Sequence, residues 1–240
     1  MLAPHPLRHL GAAGWRNCFG GSLPHWTNLS GRVHASVSKP PGHGVPAPEV
    51  RRASADESVP VARLLARAFA EDPIEVWCLA CDDLPRLMEL EFLQATRQLS
   101  AEGSLWVTGD LSGVAAWLPP GTHYNESIDA VVNPALSAHG GQPDRLVRFW
   151  EWADDHRPTT PHWYVDLVAV DPDRRGYGTG RLLLEHGLAR LDDVGGSSFL
   201  VTGNPLTVPW YQRHGFVVRS EATAPDGGPR TWFMFRPPST

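Results

Sequence analysis

Two arginines and three glycines follow an apolar stretch of strand length, and this order suits the binding of a diphosphate. Residues 165–170 are apolar apart from one aspartate, and residues 174–180 read Arg-Arg-Gly-Tyr-Gly-Thr-Gly. Glycines let backbone N–H groups approach phosphate oxygens, and the N-terminus of a following helix adds partial positive charge. Arg175 would add a full positive charge. The segment therefore predicts an anion-binding turn between a buried strand and a helix.

Two familiar glycine loops do not fit this segment. A dinucleotide-binding loop needs a third glycine where Arg181 stands, and a P-loop ends in Gly-Lys-Ser/Thr, whereas the segment contains no lysine. The pattern that fits is Arg/Gln-x-x-Gly-x-Gly/Ala, filled by Arg175, Gly178 and Gly180. It resembles the acetyl-CoA pyrophosphate loop of the GNAT family of N-acetyltransferases.

A second segment strengthens the resemblance. Asn204 precedes residues 210–216, which read Trp-Tyr-Gln-Arg-His-Gly-Phe, and this is similar to the family's Phe/Trp-Tyr-x-x-x-Gly-Phe motif. The chain most resembles puromycin N-acetyltransferases and related actinobacterial enzymes, also in its ending at residues 228–234. One departure matters, because Val201 stands where those relatives carry a glutamate.

Composition excludes several classes of protein. The 240 residues include 21 basic and 26 acidic side chains, and the net charge of −5 argues against broad nucleic-acid affinity. No apolar run has the length of a membrane span.

Three cysteines cannot all pair, so a reducing cytoplasm is expected, and Cys78 and Cys81 are interpreted as two ordinary thiols. No hydrolase motif and no metal-ligand cluster is present, so no metal cofactor is predicted.

The chain divides into two parts. Residues 1–48 contain no acidic residue and many glycines and prolines, so they are interpreted as a disordered extension. Two alternatives remain open, a transit peptide and a true start codon further downstream. Residues 49–240 are predicted to form one domain.

Hydrophobic periodicity predicts the elements of this domain. In order they are a strand near 49–53, helices 61–69 and 85–100, a hairpin of 104–108 and 113–118, a loop over 121–142, a helix 143–157, the central strand ending at 170, a helix after the glycine loop, a strand 199–202, a short helix 209–214, and strands 216–219 and 231–235. The order resembles that of GNAT proteins. The resemblance implies an α/β (α+β) fold with a mixed, twisted central sheet flanked by helices, in which a splayed strand pair binds acetyl-CoA.

The resemblance also implies which residues bind acetyl-CoA, the expected co-substrate. Backbone groups of the central strand would contact the pantetheine arm, the glycine loop would bind the diphosphate, and an asparagine would contact the pantetheine amide. These residues are Val168, Ala169 and Val170, then Arg175, Gly176, Tyr177, Gly178, Thr179 and Gly180, and finally Asn204.

Acetyl transfer to an amine requires proton movement at two places. An alkyl ammonium has a pKa of about 10, so a base must remove its proton, and Asp166 is the first candidate. Strand parity would place its side chain on one face with Tyr164 and Val168, and related arylalkylamine acetyltransferases carry histidines at the positions of Tyr164 and Asp166. The alternative for Asp166 is a structural carboxylate.

The departing thiolate must gain a proton, and the resemblance gives this role to Tyr211, whose alternative role is a core aromatic. The family places the oxyanion-binding amide at Val168. Candidate acceptor-groove residues are Glu71, Asp72, Glu75, Trp77 and Trp117.

The sequence thus predicts an N-acetyltransferase acting on a primary amine of a small molecule, such as an antibiotic or a related metabolite. It would act without nucleic acid or membrane partners, as a monomer or homodimer. Two alternatives remain open. One is a non-catalytic acyl-CoA-binding module, which Val201 favours, and the other is an acetyltransferase of protein lysines or N-termini.

Overall fold

A seven-stranded mixed sheet organises the chain. The structure is a computed structural model and describes residues 48–122 and 126–239. The predicted disordered extension lies outside the described residues, apart from Pro48. The strands are β1 (Val50–Arg52), β2 (Leu105–Thr108), β3 (Gly113–Leu118), β4 (Trp163–Val170), β5 (Ser198–Thr202), β6 (Val217–Thr223) and β7 (Arg230–Arg236).

Seven α-helices accompany these strands in the described ranges. They are α1 (Ser58–Ala68), α2 (Pro73–Leu79), α3 (Leu84–Ala101), α4 (Glu126–Ala138), α5 (Pro143–Asp154), α6 (Thr179–Asp193) and α7 (Val208–Gln212). Short 3-10 turns precede α1 and follow β4. Of the helices in these parts of the chain, none is both long and apolar enough to cross a membrane.

The sheet separates in its middle. Its order is β1-β2-β3-β4-β5-β7-β6, and β4 and β5 are its parallel pair. Their register contains only two Cα pairs, Trp163 with Ser198 and Tyr164 with Phe199, although β4 continues to Val170. The two strands therefore pair only at the start of β4 and diverge beyond Tyr164. This confirms the predicted splayed pair in a GNAT fold.

A β-bulge lies at the point of divergence. In the pairing of β3 with β4, Ala116 lies opposite Leu167 and Trp117 lies opposite Val165, so Asp166 is the extra residue. A bulge shifts the alternation of side chains along the strand. Tyr164 packs in the core on one face, whereas Val168 packs against the core on the other. The prediction that these two side chains share a face is therefore wrong, because strand parity does not continue across a bulge.

Each face of the sheet has its own hydrophobic core. Helices α1 to α5 pack on one face, and Leu65, Leu99 and Phe149 are fully buried there. Helix α6 covers the other face through Leu184 and Leu191, and α7 lies at the edge of this second core. The gap between β4 and β5 is thus the one place in the described sheet where groups from both faces can meet.

Most of the predicted elements are confirmed, with two exceptions. Residues 121–142 were expected to form a loop, but α4 occupies most of them and buries Val132 and Leu136, with α4 packed on α3. Pro134 inside this helix obscures the sequence signal. Helix α2 was not predicted, although Asp72 and Pro73 are good residues for a helix start.

Candidate active site

The predicted diphosphate loop has an open backbone. Gly176 and Gly178 have φ angles of +91° and +86°, which residues with a side chain rarely adopt. A Cβ at either position would have no described atom within 4 Å, so these glycines serve backbone conformation rather than close packing. Thr179 begins α6 directly after the loop and is buried. The loop therefore brings its N–H groups to the positive end of a helix, as the sequence indicated.

The loop is tied to the end of α1. Arg175 is exposed and donates a hydrogen bond from Nη2 to the carbonyl oxygen of Ala68, 3.1 Å away. Arg67, next to Ala68, donates to Asp171 at 3.2 Å and to Asp173 at 2.6 Å. The charge of Arg67 is thus compensated, whereas Arg175 contacts a neutral carbonyl and keeps a positive charge for an anion.

The C-terminal part of β4, residues 165–170, can contact a pantetheine chain through its backbone. Beyond Tyr164 no register pair joins β4 to β5, so the β5-facing edge of residues 165–170 lacks strand pairing there. Ala169 is buried, whereas Val168 and Val170 are partly exposed. The arrangement suits a strand-like ligand placed between the two strands.

Asn204 and Tyr211 lie beyond the end of β5. The Asn204 side chain accepts a hydrogen bond from the N–H of Leu206 at 3.0 Å, which leaves its amide NH₂ as the donor that can face a ligand. The ring of Tyr211 contacts those of Trp210 and Phe216 at centroid distances of 4.8 and 5.6 Å. Burial raises the pKa of the Tyr211 hydroxyl above its usual value, and the nearby Asp72 carboxylate acts in the same direction.

On the α2 and α3 side of the gap, three carboxyl groups act electrostatically on a fourth, that of Glu75. Burial raises the pKa of Glu75 well above its usual value, and repulsion from Glu91, Asp72 and Asp166 adds to this effect. Burial also raises the pKa of Glu91 to about 7, with Asp166 adding repulsion. Asp72 caps α2, because its Oδ1 accepts from the N–H groups of Ile74 at 2.9 Å and of Glu75 at 3.3 Å. We call Asp72, Glu75, Glu91 and Asp166 the acid cluster.

The acid cluster is not arranged as a metal site. In the ranges that the structure describes, no group of three or more His, Cys, Asp or Glu side chains is positioned to hold a metal ion. Cys78, close to Glu75, is buried and free, and burial raises the pKa of its thiol. Cys81 is also free, which agrees with the interpretation of both cysteines as ordinary thiols.

Glu91 was missed in the sequence, although a signal was present. It occupies a core-facing position of α3, one turn from the buried residues Leu87 and Ala95. Its Oε2 atom is buried and has no hydrogen-bond partner among the described residues. A glutamate inside the apolar stripe of an amphipathic helix departs from the pattern, and such departures concentrate at functional sites.

The candidate acceptor residues lie in four different places. Asp72 and Glu75 belong to the acid cluster, and Trp77 of α2 lies against the β6–β7 turn, where a Cβ on Gly228 would be 3.1 Å from its ring. Glu71 is exposed. Trp117 belongs to the core under α6, so its assignment to the acceptor groove is wrong. The Trp117 ring fills the space beside Gly187, where a Cβ would be 2.1 Å from the ring.

Comparison with known proteins agrees with this arrangement. A family model described as an acetyltransferase (GNAT) domain matches residues 138–218, which include the diverging strands, the glycine loop and Tyr211. This part of the chain is therefore similar to a GNAT acetyltransferase domain. GNAT domains use acetyl-CoA as co-substrate, and the expected enzyme class, an acyl-CoA-dependent N-acetyltransferase, follows from this domain.

Solved structures similar to this chain support the same fold. A Corynebacterium glutamicum structure, described as histone acetyltransferase HPA2 and related acetyltransferase, is 26% identical with a TM-score of 0.60, and the match covers 80% of this chain and 97% of that one. Arylalkylamine N-acetyltransferase 2 from Aedes aegypti is 14% identical with a TM-score of 0.56, covering 79% and 98%. The Drosophila melanogaster polyamine N-acetyltransferase that forms N-acetylagmatine is 15% identical with a TM-score of 0.54, covering 79% and 99%.

Proposed function

We propose that this protein transfers the acetyl group of acetyl-CoA to the primary amine of a small, cationic molecule. The divergence of β4 from β5 after the Tyr164–Phe199 pair is the observation that carries the proposal. It creates one gap in the described sheet with an open, positively charged glycine loop at the end of β4 and a group of carboxyls beside the bulge at Asp166.

The donor end is formed by the loop and the free edge of β4. Backbone groups of Val168, Ala169 and Val170 would bind the pantetheine arm, and Arg175 with the loop at 176–180 would bind the diphosphate. The Val168 amide would stabilise negative charge on the reacting oxygen. Asn204 would donate to the pantetheine from its amide nitrogen. Acetyl-CoA supplies the activated acyl group when it is bound.

The proton-handling groups lie near one another. Tyr211 is affected electrostatically by Asp72, and Tyr164 by both Asp166 and Tyr211, so the two tyrosines and the acid cluster occupy one region. Tyr211 would protonate the departing thiolate, and the acid cluster around Asp166 would take the proton of the ammonium. The absence of a carboxylate at Val201 therefore does not favour a non-catalytic module, because α2, α3 and β4 supply carboxylates instead.

The β6–β7 turn favours a small acceptor over an extended peptide. Asp226 in this turn pairs with Arg148 of α5 at 3.1 Å, and Gly228 lies against Trp77 of α2. These contacts join the turn to the helices next to the acid cluster. A peptide lying along the sheet would have to displace them, whereas a small amine would not. The half-buried carboxyls of the acid cluster favour a cationic amine, and puromycin-like antibiotics are one class of such acceptors.

The test measures acetyl-CoA binding by calorimetry and thiol release with a panel of amines. The panel contains puromycin, tryptamine, agmatine and peptides with a free lysine or N-terminus. We expect acetyl-CoA binding, and turnover with at least one small amine but not with the peptides. Binding without any turnover would support the non-catalytic module. Acetylated peptides without a small-molecule product would support the protein acetyltransferase.

A further inference from the structure

We infer that Glu91 of α3, rather than Asp166 of β4, is the group that takes the proton from the acceptor ammonium, and that Glu75 of α2 helps to hold this ammonium. The inference rests on the proposed function and specifies the chemistry of the same site. It follows from the placement of Glu91, from the groups that face it, and from the character of the acid cluster.

The placement of Glu91 is unusual for a glutamate. Helix α3 places the half-buried Glu91 between the buried residues Leu87 and Ala95, whereas the Glu89 side chain on the same helix is 42% exposed and pairs with Arg63 at 2.9 Å. Burying a carboxyl without a compensating partner is unfavourable. The Oε2 atom is buried and has no hydrogen-bond partner in the described parts of the chain. Such an atom is suited to accept a hydrogen bond from a ligand.

The groups facing Glu91 are acidic. Asp166 approaches from β4, and Glu75 and Cys78 are its electrostatic neighbours on α2. Arg145 of α5 also acts on Cys78, but its guanidinium lies over the ring of Trp77, 5.0 Å from the centroid, and donates to the Trp77 carbonyl oxygen. Carboxyl groups that repel one another are stabilised by a cation between them.

An ammonium fits these carboxyls better than a metal ion. The cluster is not arranged to coordinate a metal. An alkyl ammonium carries three N–H donors and one positive charge, so it can donate to separate carboxyl oxygens at once. Glu75 and Asp166 can share the binding of this group with Glu91. The acid cluster therefore predicts a small amine that enters as its cation.

Glu91 is also the member of the cluster best suited to be the base. Burial and the Asp166 charge raise its pKa to about 7, and a base is most effective when its pKa lies near the working pH. Asp166 lies at the bulge and acts on Glu91 through its charge. In this assignment Asp166 is a positioning residue that sets the proton affinity of Glu91.

The protons and electrons balance as follows. The Glu91 carboxylate takes one proton from the ammonium, and the freed nitrogen lone pair forms a bond to the thioester carbonyl carbon. The C–S bond breaks, sulfur keeps its electron pair, and the Tyr211 hydroxyl protonates it. The second proton leaves the new amide nitrogen and restores Tyr211, while Glu91 releases its proton to water. The sum is ammonium plus acetyl-CoA giving amide, CoA thiol and one proton.

The experiment compares the pH profiles of kcat/KM for the wild type, Glu91→Gln, Asp166→Asn and the control Glu89→Gln. The amine is whichever of tryptamine, agmatine and puromycin the wild type acetylates. The wild type should lose activity below an apparent pKa of about 7, because protonated Glu91 cannot accept a proton. Glu91→Gln should reduce kcat/KM by about 10² to 10³, and its profile should lack this decrease at low pH, the acidic limb. Glu89→Gln should match the wild type.

Asp166→Asn distinguishes the two candidate bases. With Glu91 as the base, removing the Asp166 charge should move the acidic limb to lower pH while a limb remains. The inference would be overturned if Asp166→Asn lost the acidic limb of the profile. It would also be overturned if Glu91→Gln kept this limb together with wild-type turnover. If Glu91→Gln does not fold, the pH shift of the acidic limb in Asp166→Asn is by itself the test of Glu91 as the base. An inactive wild type would instead refute the proposed function, so the two failures are distinct.

Discussion

Arg175 donates a hydrogen bond from Nη2 to the carbonyl oxygen of Ala68, the last residue of α1, at 3.1 Å. Arg175, the residue expected to bind the diphosphate, is therefore tied to the end of the helix that leads into the acid cluster. Because its acceptor is neutral, the guanidinium keeps its charge, whereas Arg67 beside it is compensated by Asp171 and Asp173. Arg175 is thus the cation at this junction that can bind a diphosphate.

The substitution Arg175→Glu should weaken acetyl-CoA binding by at least about tenfold, because a charged hydrogen bond contributes roughly 1.5–3 kcal/mol and the new carboxylate would repel the diphosphate. Calorimetry measures the affinity. Arg63→Glu is the control, since it makes the same charge reversal at an exposed residue paired with Glu89. Equal affinities in Arg175→Glu and the wild type would refute the phosphate-loop assignment.

Gly178→Ala should raise the KM for acetyl-CoA and lower Tm, because alanine at a φ of +86° is strained by about 1–2 kcal/mol and would alter the loop. Gly195→Ala is a matched control just beyond the other end of α6. It has a φ of +60° and no described atom near its Cβ, so it should lower Tm to a similar extent. Its KM for acetyl-CoA should be unchanged. An equal KM for acetyl-CoA in both variants would mean that backbone strain alone, and not a role of Gly178 in binding, explains the change.

Tyr211→Phe should reduce kcat by about 10 to 10³, since general acid catalysis contributes roughly 10² to 10⁴ and a thiolate can leave without full assistance. The raised pKa of Tyr211 keeps its hydroxyl protonated at neutral and mildly alkaline pH. Acetyl-CoA affinity and Tm should stay nearly unchanged, because the ring contacts to Trp210 and Phe216 are preserved. Wild-type kcat under conditions where chemistry limits the rate would make Tyr211 a packing residue.

Stability should fall as pH rises from about 4.5 to about 7, because Glu91 in the folded state holds a proton that the unfolded chain has already released. One pKa unit corresponds to about 1.4 kcal/mol, so the effect amounts to up to about 3 kcal/mol. Glu75 acts in the same direction. Glu91→Gln should unfold at a higher temperature than the wild type at pH 8 but at a similar one at pH 4.5.

The measurement is the Tm of the wild type, Glu91→Gln and Glu89→Gln across this pH range. The Glu89 side chain is 42% exposed and paired with Arg63, so its amide variant should follow the wild-type curve. Parallel curves for Glu91→Gln and the wild type would show that the Glu91 carboxyl titrates as in the unfolded chain.

The sequence by itself determined the parts of the site that are continuous in the chain. The apolar strand, the glycine loop with Arg175 and the segment around Tyr211 each signal their structure within about ten residues, because backbone conformation and periodicity are local properties. Their order along the chain resembles that of GNAT proteins, and this resemblance implied the fold and the divergence of the central strands.

Only the tertiary structure decided which side chains lie together beside the gap between β4 and β5. The bulge at Asp166 depends on pairing with β3 and separates Val168 from Tyr164, so strand parity gave the wrong face. The acid cluster unites side chains from α2, α3 and β4, and of its members only Glu91 departs from the pattern of its own segment. The proton affinity of Glu91 arises from burial and neighbouring charge, which are properties of the assembled core and not of the residue.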